Sequence, residues 1–226
     1  MHKTLIIWDF DGVISDTEKL WLENRRQLLN QKFNLNWDFA TVNHHLGGMS
    51  EKTKKEVLQQ MGLAIDDNFM TEALKMDFEV MRRGIEPTPG IEEIFKMKSF
   101  DQCIATGGTM DKTLIKIEAV GIVKYFLPEH IFTADMVEHG KPEPDLFLLA
   151  AGKMGYQPQN CMVIEDSLAG MTAGLRAGMN VIAFLGCEMN HGQSYLNKVK
   201  TLGIKHIFYH MDEIKQFLID FQAQKK

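Results

Sequence analysis

Apolar and polar positions divide this chain into short blocks that predict strands and helices in alternation. Residues 5–8 are apolar without interruption, which is typical of a strand with both faces buried in a parallel sheet. Further segments of strand length, rich in apolar residues, predict strands at 102–106, 131–133, 161–164, 181–184 and 204–209. Helical spacing of apolar residues predicts helices at about 90–98, 110–120, 143–154, 168–177 and 211–222. This alternation predicts an α/β fold with a doubly wound, Rossmann-like parallel sheet and helices on both faces.

Residues 15–85 follow a different pattern, because their apolar positions recur at helical spacing only. They predict one long helix ending near Phe33 and shorter helices at about 37–46, 50–62 and 66–84. A Pro-Thr-Pro-Gly segment at 87–90 then marks the return to alternating strands and helices. We therefore predict an α/β core made of residues 1–14 and 86–226, with residues 15–85 inserted as an all-helical cap.

Composition and charge narrow the class of protein. The 226 residues are 45% hydrophobic and 24% charged, and the net charge of −5 predicts no basic surface for nucleic acid or an anionic membrane. Cys103, Cys161 and Cys187 form no Cys-x-x-Cys pair, which argues against a disulfide scaffold and a structural zinc site. No apolar stretch approaches the ~20 residues of a membrane span. The first apolar run is also too short for a signal peptide, so we expect a cytoplasmic protein.

Two aspartates directly follow the first predicted strand. Alternate residues of an extended chain point the same way, so Asp9 and Asp11 can be aimed into one pocket, and Gly12 allows a tight turn after them. In open α/β sheets, ligands bind outside the carboxyl ends of the strands. Two carboxylates held this close repel each other, and a cation relieves the repulsion. Taken alone, the same residues are equally typical of an ordinary turn.

Three more predicted strands lead into polar residues. Thr106 and Gly107 open a Gly-rich turn before a predicted helix, and Lys141 lies between a glycine and a proline. Glu165 and Asp166 stand at another predicted helix start. Singly, each is typical of a helix cap or an exposed helix start. Together, at one edge of a parallel sheet, they supply carboxylates for a divalent cation and a hydroxyl, an amide and a lysine for a dianion, which phosphoryl transfer needs.

These segments together resemble the haloacid dehalogenase superfamily, in the phosphatase and phosphomutase branch that carries a helical cap after the first strand. The matching segments are Asp-Phe-Asp-Gly-Val at 9–13, Thr-Gly at 106–107, Lys-Pro-Glu-Pro-Asp at 141–145 and Ile-Glu-Asp-Ser-Leu-Ala-Gly at 164–170. The resemblance implies that Asp9 is a nucleophile that forms an aspartyl-phosphate. It also implies that Asp11 protonates the leaving oxygen and later deprotonates the attacking water.

The resemblance further implies a Mg²⁺ site, a phosphate site and a substrate-facing part of the cap. The implied Mg²⁺ ligands are the Asp9 side chain, the Asp11 backbone carbonyl and Asp166, with Glu165 either a ligand or a residue directly behind the ligands. The groups implied to hold the phosphoryl oxygens are Thr106, the Gly107 amide and Lys141. The cap residues implied to face the substrate are Gly48, Ser50 and Lys52.

Three functions remain open at this point. We favour a Mg²⁺-dependent phosphatase that acts on a small phosphorylated sugar or sugar acid, as a monomer or weak dimer without nucleic-acid or membrane partners. A β-phosphoglucomutase is the second reading. The mutase-type cap loop commonly carries an arginine where this chain has Glu51, although Lys52, Lys54 or an arginine at 82–83 could replace it. A catalytically silent binding module is third, because it predicts the loss of a core motif residue and all of them are present.

Overall fold

The computed structural model describes residues 3–47, 49, 51–187 and 192–224. The chain divides into two compact units, one formed by Met1–Asp16 and Glu86–Lys226 and the other by Thr17–Ile85. The first unit contains a parallel sheet and helices, and the described residues of the second are helical or irregular. No helix in the described part of the chain is both long enough and apolar enough to cross a membrane.

A six-stranded sheet forms the centre of the first unit. Its strands are β1 (Thr4–Trp8), β2 (Phe100–Thr106), β3 (Ile131–Thr133), β4 (Cys161–Glu165), β5 (Asn180–Phe184) and β6 (His206–Phe208). They lie in the order β3-β2-β1-β4-β5-β6, and every neighbouring pair is parallel. Because β1 lies between β2 and β4, the winding of the chain reverses beside β1, which is where open α/β sheets bind ligands. The predicted Rossmann-like sheet is confirmed.

The second unit is built from four helices within its described residues. They are α1 (Thr17–Phe33), α2 (Phe39–Leu46), α3 (Glu51–Gln60) and α4 (Asp67–Arg83). Aspartate side chains cap two of them, because Asp38 accepts a hydrogen bond from the Thr41 amide and Asp66 accepts one from the Phe69 amide. Helix α1 packs against α2 and α4. The predicted helices therefore form within a few residues of their expected positions.

A buried ion-pair network lies inside this helical unit. The guanidinium of Arg25 contacts Asp77 at 2.8 Å and Glu51 at 2.9 Å, and its side chain is 3% exposed. The Lys54 ammonium lies 3.1 Å from Glu51 and 3.2 Å from Glu18. Burial acts to raise the pKa of Glu51, but Arg25 and Lys54 outweigh it and hold that pKa below its usual range. Glu51 is therefore an ionised, partly exposed partner of two buried cations.

Six helices surround the sheet in the described part of the first unit. They are α5 (Ile91–Phe95), α6 (Met110–Val120), α7 (Asp145–Lys153), α8 (Leu168–Arg176), α9 (Gln193–Thr201) and α10 (Met211–Ala223). Short 3-10 helices occupy Val123–Tyr125, Pro128–His130, Ala134–Met136 and Pro158–Asn160. Helix α7 packs on β1, β2 and β3, and α8 packs on β4 and β5. The core between them is apolar and includes the unpaired thiols of Cys103 and Cys161.

Three elements differ from the sequence prediction. Helix α9 was not predicted, because its sequence is mostly polar and Val199 is its one fully buried residue. Helix α5 ends at Phe95 rather than near 98, since β2 begins at Phe100 and the chain must turn between them. Strand β6 is shorter than predicted, as only His206–Phe208 pair with β5. None of these differences moves the carboxyl ends of β1, β2 or β4.

Candidate active site

The carboxyl edge of the sheet brings together most of the side chains singled out in the sequence. Asp9 directly follows β1, and its amide donates a hydrogen bond to the Ile164 carbonyl on β4 at 3.0 Å. Thr106 and Glu165 are the last residues of β2 and β4, the two strands that flank β1. All of them are buried. Three adjacent strands therefore deliver polar side chains to one place.

Lys141 is held between two carboxylates at this edge. Its ammonium donates to Asp9 Oδ1 at 2.5 Å, to Glu165 Oε1 at 2.8 Å and to the Ala105 carbonyl at 3.1 Å. These contacts use the three donors of an ammonium group. The Lys141 side chain is 9% exposed and its Nζ lies 4.9 Å from the centroid of the Phe147 ring. The predicted lysine is thus a buried cation fixed against Asp9.

A group of carboxylates in this region could hold a metal ion. Ligand atoms of Asp9, Glu165 and Asp166 all lie within 4.8 Å of one another. Hard divalent cations such as Mg²⁺ and Ca²⁺ prefer carboxylate oxygens. When ionised, these side chains carry three negative charges against one positive charge on Lys141. The excess negative charge favours binding of a further cation.

The ionisation of Asp9 and Lys141 reflects this crowding of charge. Burial raises the pKa of Asp9 to about 7; Lys141 opposes the rise, and Glu165 and Asp11 add to it. Burial acts to lower the pKa of Lys141, but Asp9 and Glu165 outweigh it and raise that pKa above its usual range. Lys141 therefore stays protonated. A further positive charge placed beside Asp9 would stabilise its ionised form.

Two glycines leave the space that the acidic side chains occupy. Gly12 has φ +79°, and a Cβ built on it would lie 2.1 Å from Oδ2 of Asp166. A Cβ on Gly170, in the first turn of α8, would lie 1.6 Å from Oε1 of Glu165. A shift of the Glu165 side chain would cost two hydrogen bonds, because Lys141 donates to one of its oxygens and the Ser167 amide donates to the other at 2.7 Å. Both glycines are thus required by neighbouring carboxylates.

We predict that Gly170→Ala weakens divalent-cation binding. The added methyl group displaces Glu165 from Lys141 and from the carboxylate cluster. Loss of such a supporting contact typically lowers metal affinity about 10- to 100-fold. Isothermal titration with Mg²⁺ measures the change.

Gly152→Ala is the matched control for this variant. Gly152 lies in helix α7, and a Cβ there meets nothing within 4 Å. Alanine is favoured over glycine in a helix, so we expect unchanged cation affinity and a gain in stability of up to about 1 kcal/mol. Equal affinities of the Gly170→Ala variant and the wild type would show that Glu165 does not support the cation site.

The Asp11 carboxylate is bound by a lysine and is not one of the three carboxylates grouped above. The Lys116 ammonium donates to both of its oxygens, at 2.7 Å and 2.6 Å. Lys116 lies on α6 with its side chain 8% exposed, and its Nζ is 4.7 Å from the centroid of the Phe10 ring. Sequence reasoning missed Lys116. The available signal was its helical spacing with Thr113 and Val120, which predicts that it faces the core.

Tyr195 is a second residue near the site that was missed. Its hydroxyl donates a hydrogen bond to the backbone carbonyl of Asp166 at 2.6 Å. Tyr195 belongs to helix α9, which was itself not predicted, so nothing in the sequence linked it to the site. Ser167, in contrast, acts as the N-cap of α8 and accepts a hydrogen bond from the Gly170 amide.

The remaining predicted residues fall into two groups. Thr106 is buried, and its hydroxyl accepts a long 3.4 Å hydrogen bond from the Gly108 amide; Gly107 between them is exposed. Among the residues predicted to face the substrate from a cap, Lys52 is exposed on α3. Gly48 and Ser50 lie outside the described residues. The structure therefore gives the surroundings of the predicted core residues and of Lys52, but not those of Gly48 and Ser50.

Comparison with known proteins adds a family to this geometry. The family model described as "Haloacid dehalogenase-like hydrolase" matches residues 6–184. A phosphorylated carbohydrates phosphatase of Thermotoga maritima is 26% identical over 197 residues, which are 84% of this chain and 89% of that protein. The (DL)-glycerol-3-phosphatase 2 of Arabidopsis thaliana is 30% identical over 191 residues, which are 79% of this chain and 78% of that protein. A solved haloacid dehalogenase-like protein of unknown function from Agrobacterium tumefaciens has the same fold, with a TM-score of 0.83 at 23% identity over 98% of this chain and all of that one.

Proposed function

Since this chain belongs to the haloacid dehalogenase-like hydrolases, we propose that it is a Mg²⁺-dependent phosphatase of a small phosphorylated metabolite. The substrate class that we propose is a sugar or sugar-acid phosphate. The observation that carries the proposal is the fixed contact of Lys141 with Asp9 and Glu165, beside a carboxylate cluster at the carboxyl edge of the sheet. Relatives named as phosphatases of phosphorylated carbohydrates and of glycerol phosphate support it.

In this proposal Asp9 attacks the phosphorus and the leaving oxygen departs with a proton from Asp11. An ionised carboxylate needs no base to become a nucleophile, and burial beside Lys141 keeps Asp9 in one orientation. Lys141 and Thr106 stabilise the negative charge on the transferring phosphoryl group. In the second step Asp11 accepts a proton from the attacking water, which releases phosphate and regenerates Asp9.

The proposed cofactor is consistent with the donor set. Asp9, Asp166 and the Asp11 carbonyl would hold Mg²⁺, with Glu165 as a further candidate, and each offers the oxygen atoms that Mg²⁺ prefers. When bound, Mg²⁺ neutralises charge on the phosphoryl oxygens. The work of the chain itself is to keep the nucleophile, Lys141 and the acid in fixed positions before the substrate arrives.

The phosphomutase alternative finds less support. It needs a cation that can grip a second phosphate group in the proposed cap, where this chain has Glu51. That side chain is engaged by Arg25 and Lys54 inside the helical unit. Lys54 was one of the replacements considered, and it is 4% exposed and paired with two carboxylates. Lys52 and the arginines at 82–83 are exposed and remain candidates for binding a second phosphate group.

The proposal is tested by phosphate release from sugar phosphates, sugar-acid phosphates, glycerol phosphate and p-nitrophenyl phosphate, with Mg²⁺ or with EDTA. Mg²⁺-dependent release of inorganic phosphate is the expected result. Interconversion of glucose phosphates without net phosphate release, in the presence of a bisphosphate primer, would instead establish the mutase. Absence of both reactions from folded protein that binds Mg²⁺ would favour a binding module.

Cation binding should depend on pH because of Asp9. Its raised pKa means that the folded protein without a cation holds this proton up to about pH 7. Mg²⁺ needs the ionised carboxylate, so binding releases the proton, and affinity rises with pH, by up to roughly tenfold per unit below the pKa. We expect a clear increase between pH 6 and 8 in isothermal titrations.

The control for this pH dependence is Asp9→Asn. The amide does not titrate in this range, so the variant should bind Mg²⁺ weakly and with a much flatter pH dependence. A wild-type affinity that stays flat between pH 6 and 8 would contradict a raised pKa at Asp9.

A further inference from the structure

Lys116 places a buried positive charge against the proposed acid of the reaction. Its Nζ lies 2.7 Å from Oδ1 and 2.6 Å from Oδ2 of Asp11, so one ammonium engages both carboxylate oxygens. A Cβ built on Gly108 would lie 3.9 Å from the same Nζ and 4.0 Å from Oγ1 of Thr106. The ammonium of Lys116 therefore stands beside the turn that follows β2, at the proposed phosphate site.

The position of Lys116 on α6 is not explained by packing alone. The other buried residues on this face of α6, Thr113, Ile117 and Val120, are uncharged. Burying an ammonium is unfavourable unless it is paired, whereas an apolar residue of similar volume carries no such penalty. The Phe10 ring lies against the ammonium and fixes it from one side. The feature that a lysine provides here, and an apolar residue does not, is its contact with Asp11.

The Asp11 side chain also has to stay out of the cation site that the neighbouring carboxylates are proposed to form. It lies two residues after Asp9, yet among the described residues its side chain does not belong to the group of carboxylates that could hold a metal ion, Asp9, Glu165 and Asp166. A carboxylate so near a divalent cation is attracted to it and, once bound as a ligand, is lost as an acid and base. The bidentate contact with Lys116 opposes that attraction.

We propose that Lys116 is a positioning residue that holds the Asp11 carboxyl group for proton transfer. This inference rests on the phosphatase function proposed above. In the first step the bond between Asp9 and phosphorus forms, the bond from phosphorus to the leaving oxygen breaks, and the proton on Asp11 passes to that oxygen. In the second step a water oxygen binds phosphorus, its proton passes to Asp11, and the bond from Asp9 breaks. In this proposal Lys116 acts through the orientation of Asp11.

The test compares two leaving groups in the variant Lys116→Met. An alkoxide is a poor leaving group unless it is protonated, whereas nitrophenolate is a weak base that leaves readily without a proton. Only alkyl phosphates therefore need Asp11 as an acid in the first step. Because kcat/KM reports on steps up to the departure of the leaving group, we compare this constant for the best alkyl phosphate and for p-nitrophenyl phosphate. General acid catalysis contributes about 10²- to 10⁴-fold. We expect a loss of about 10²-fold on the alkyl phosphate and of less than about fivefold on the aryl phosphate.

Three further variants separate positioning from a structural role. Lys116→Arg can bind both carboxylate oxygens and should recover part of the alkyl phosphate activity. Lys112→Met removes an exposed lysine from the same helix and should match the wild type. In an Asp11→Asn background, Lys116→Met should cause little further loss on the alkyl phosphate, because the two residues act as a unit.

The outcomes are distinguishable from a failure of the proposed function. Equal losses on both substrates would overturn the inference and assign Lys116 to stability. Wild-type rates on both substrates for Lys116→Met would overturn it as well. If Lys116→Met does not fold, an unequal loss in Lys116→Arg supports positioning and an equal loss contradicts it. Wild-type protein that releases phosphate from neither ester would instead remove the phosphatase proposal itself.

Discussion

Asp9→Asn is expected to abolish phosphate release while leaving the fold intact. The amide oxygen can still accept a hydrogen bond from Lys141, so the packing around the side chain is preserved. The amide lacks the charge and the nucleophilicity of the carboxylate, so no phosphorylated intermediate forms on it. Loss of a nucleophile lowers kcat by a factor on the order of 10⁴ to 10⁶. Steady-state phosphate release from the best substrate of the panel measures the loss.

The stability of the same variant provides an independent check. Burial raises the pKa of Asp9, which means that the folded state disfavours its ionised form. An uncharged amide avoids that penalty, so thermal unfolding without Mg²⁺ should occur at the same temperature as in the wild type or higher. Asp220→Asn, an exposed position on α10, controls for the chemical change and should keep full activity. Activity above about 1% of wild type in Asp9→Asn would contradict a nucleophilic role.

The parts of the molecule that could be predicted are those encoded by local pattern. A continuous apolar run predicts β1 because a buried strand in a parallel sheet has no polar face. The acids and glycines after β1 and β4 were visible because each group lies within a few consecutive residues. Gly12 was singled out for its turn, and its positive φ agrees with that. Its second role, leaving room for Asp166, depends on a neighbouring strand and was not visible.

The residues that were missed act across long separations in the sequence. Lys116 and Asp11 are 105 positions apart, and no local pattern connects a lysine on a helix with one particular carboxylate. Tyr195 contacts Asp166 from a helix whose polar sequence concealed it. Glu51 is a similar case in the helical unit. From the sequence, Glu51 indicated only that the arginine of a mutase-type cap loop is absent. The structure shows that Glu51 instead pairs with two buried cations.

Lys141→Met is expected to reduce both activity and stability. Lys141 is the buried cation between Asp9 and Glu165, and its removal leaves two buried carboxylates facing each other. Breaking a buried ion pair in this way lowers the free energy of unfolding by about 3–5 kcal/mol. The nucleophile also loses its orientation and the transferring phosphoryl group loses a positive charge, so we expect kcat/KM to fall by about 10³-fold. Lys153→Met, an exposed lysine on α7, serves as the control.

A double variant separates the structural and the chemical parts of this effect. Lys141→Met combined with Glu165→Gln restores the charge balance, because one carboxylate is removed together with the ammonium. We expect the free energy of unfolding to recover substantially while kcat/KM stays low. The pH dependence has a definite sign. Without Lys141 the buried Asp9 carboxyl group holds its proton more tightly in the folded state, so the stability of Lys141→Met should rise relative to wild type as pH falls from 8 to 5. A stability difference that stays constant over this range would mean that Asp9 and Glu165 are not repelling each other in the variant, and that Lys141 contributes through packing rather than charge.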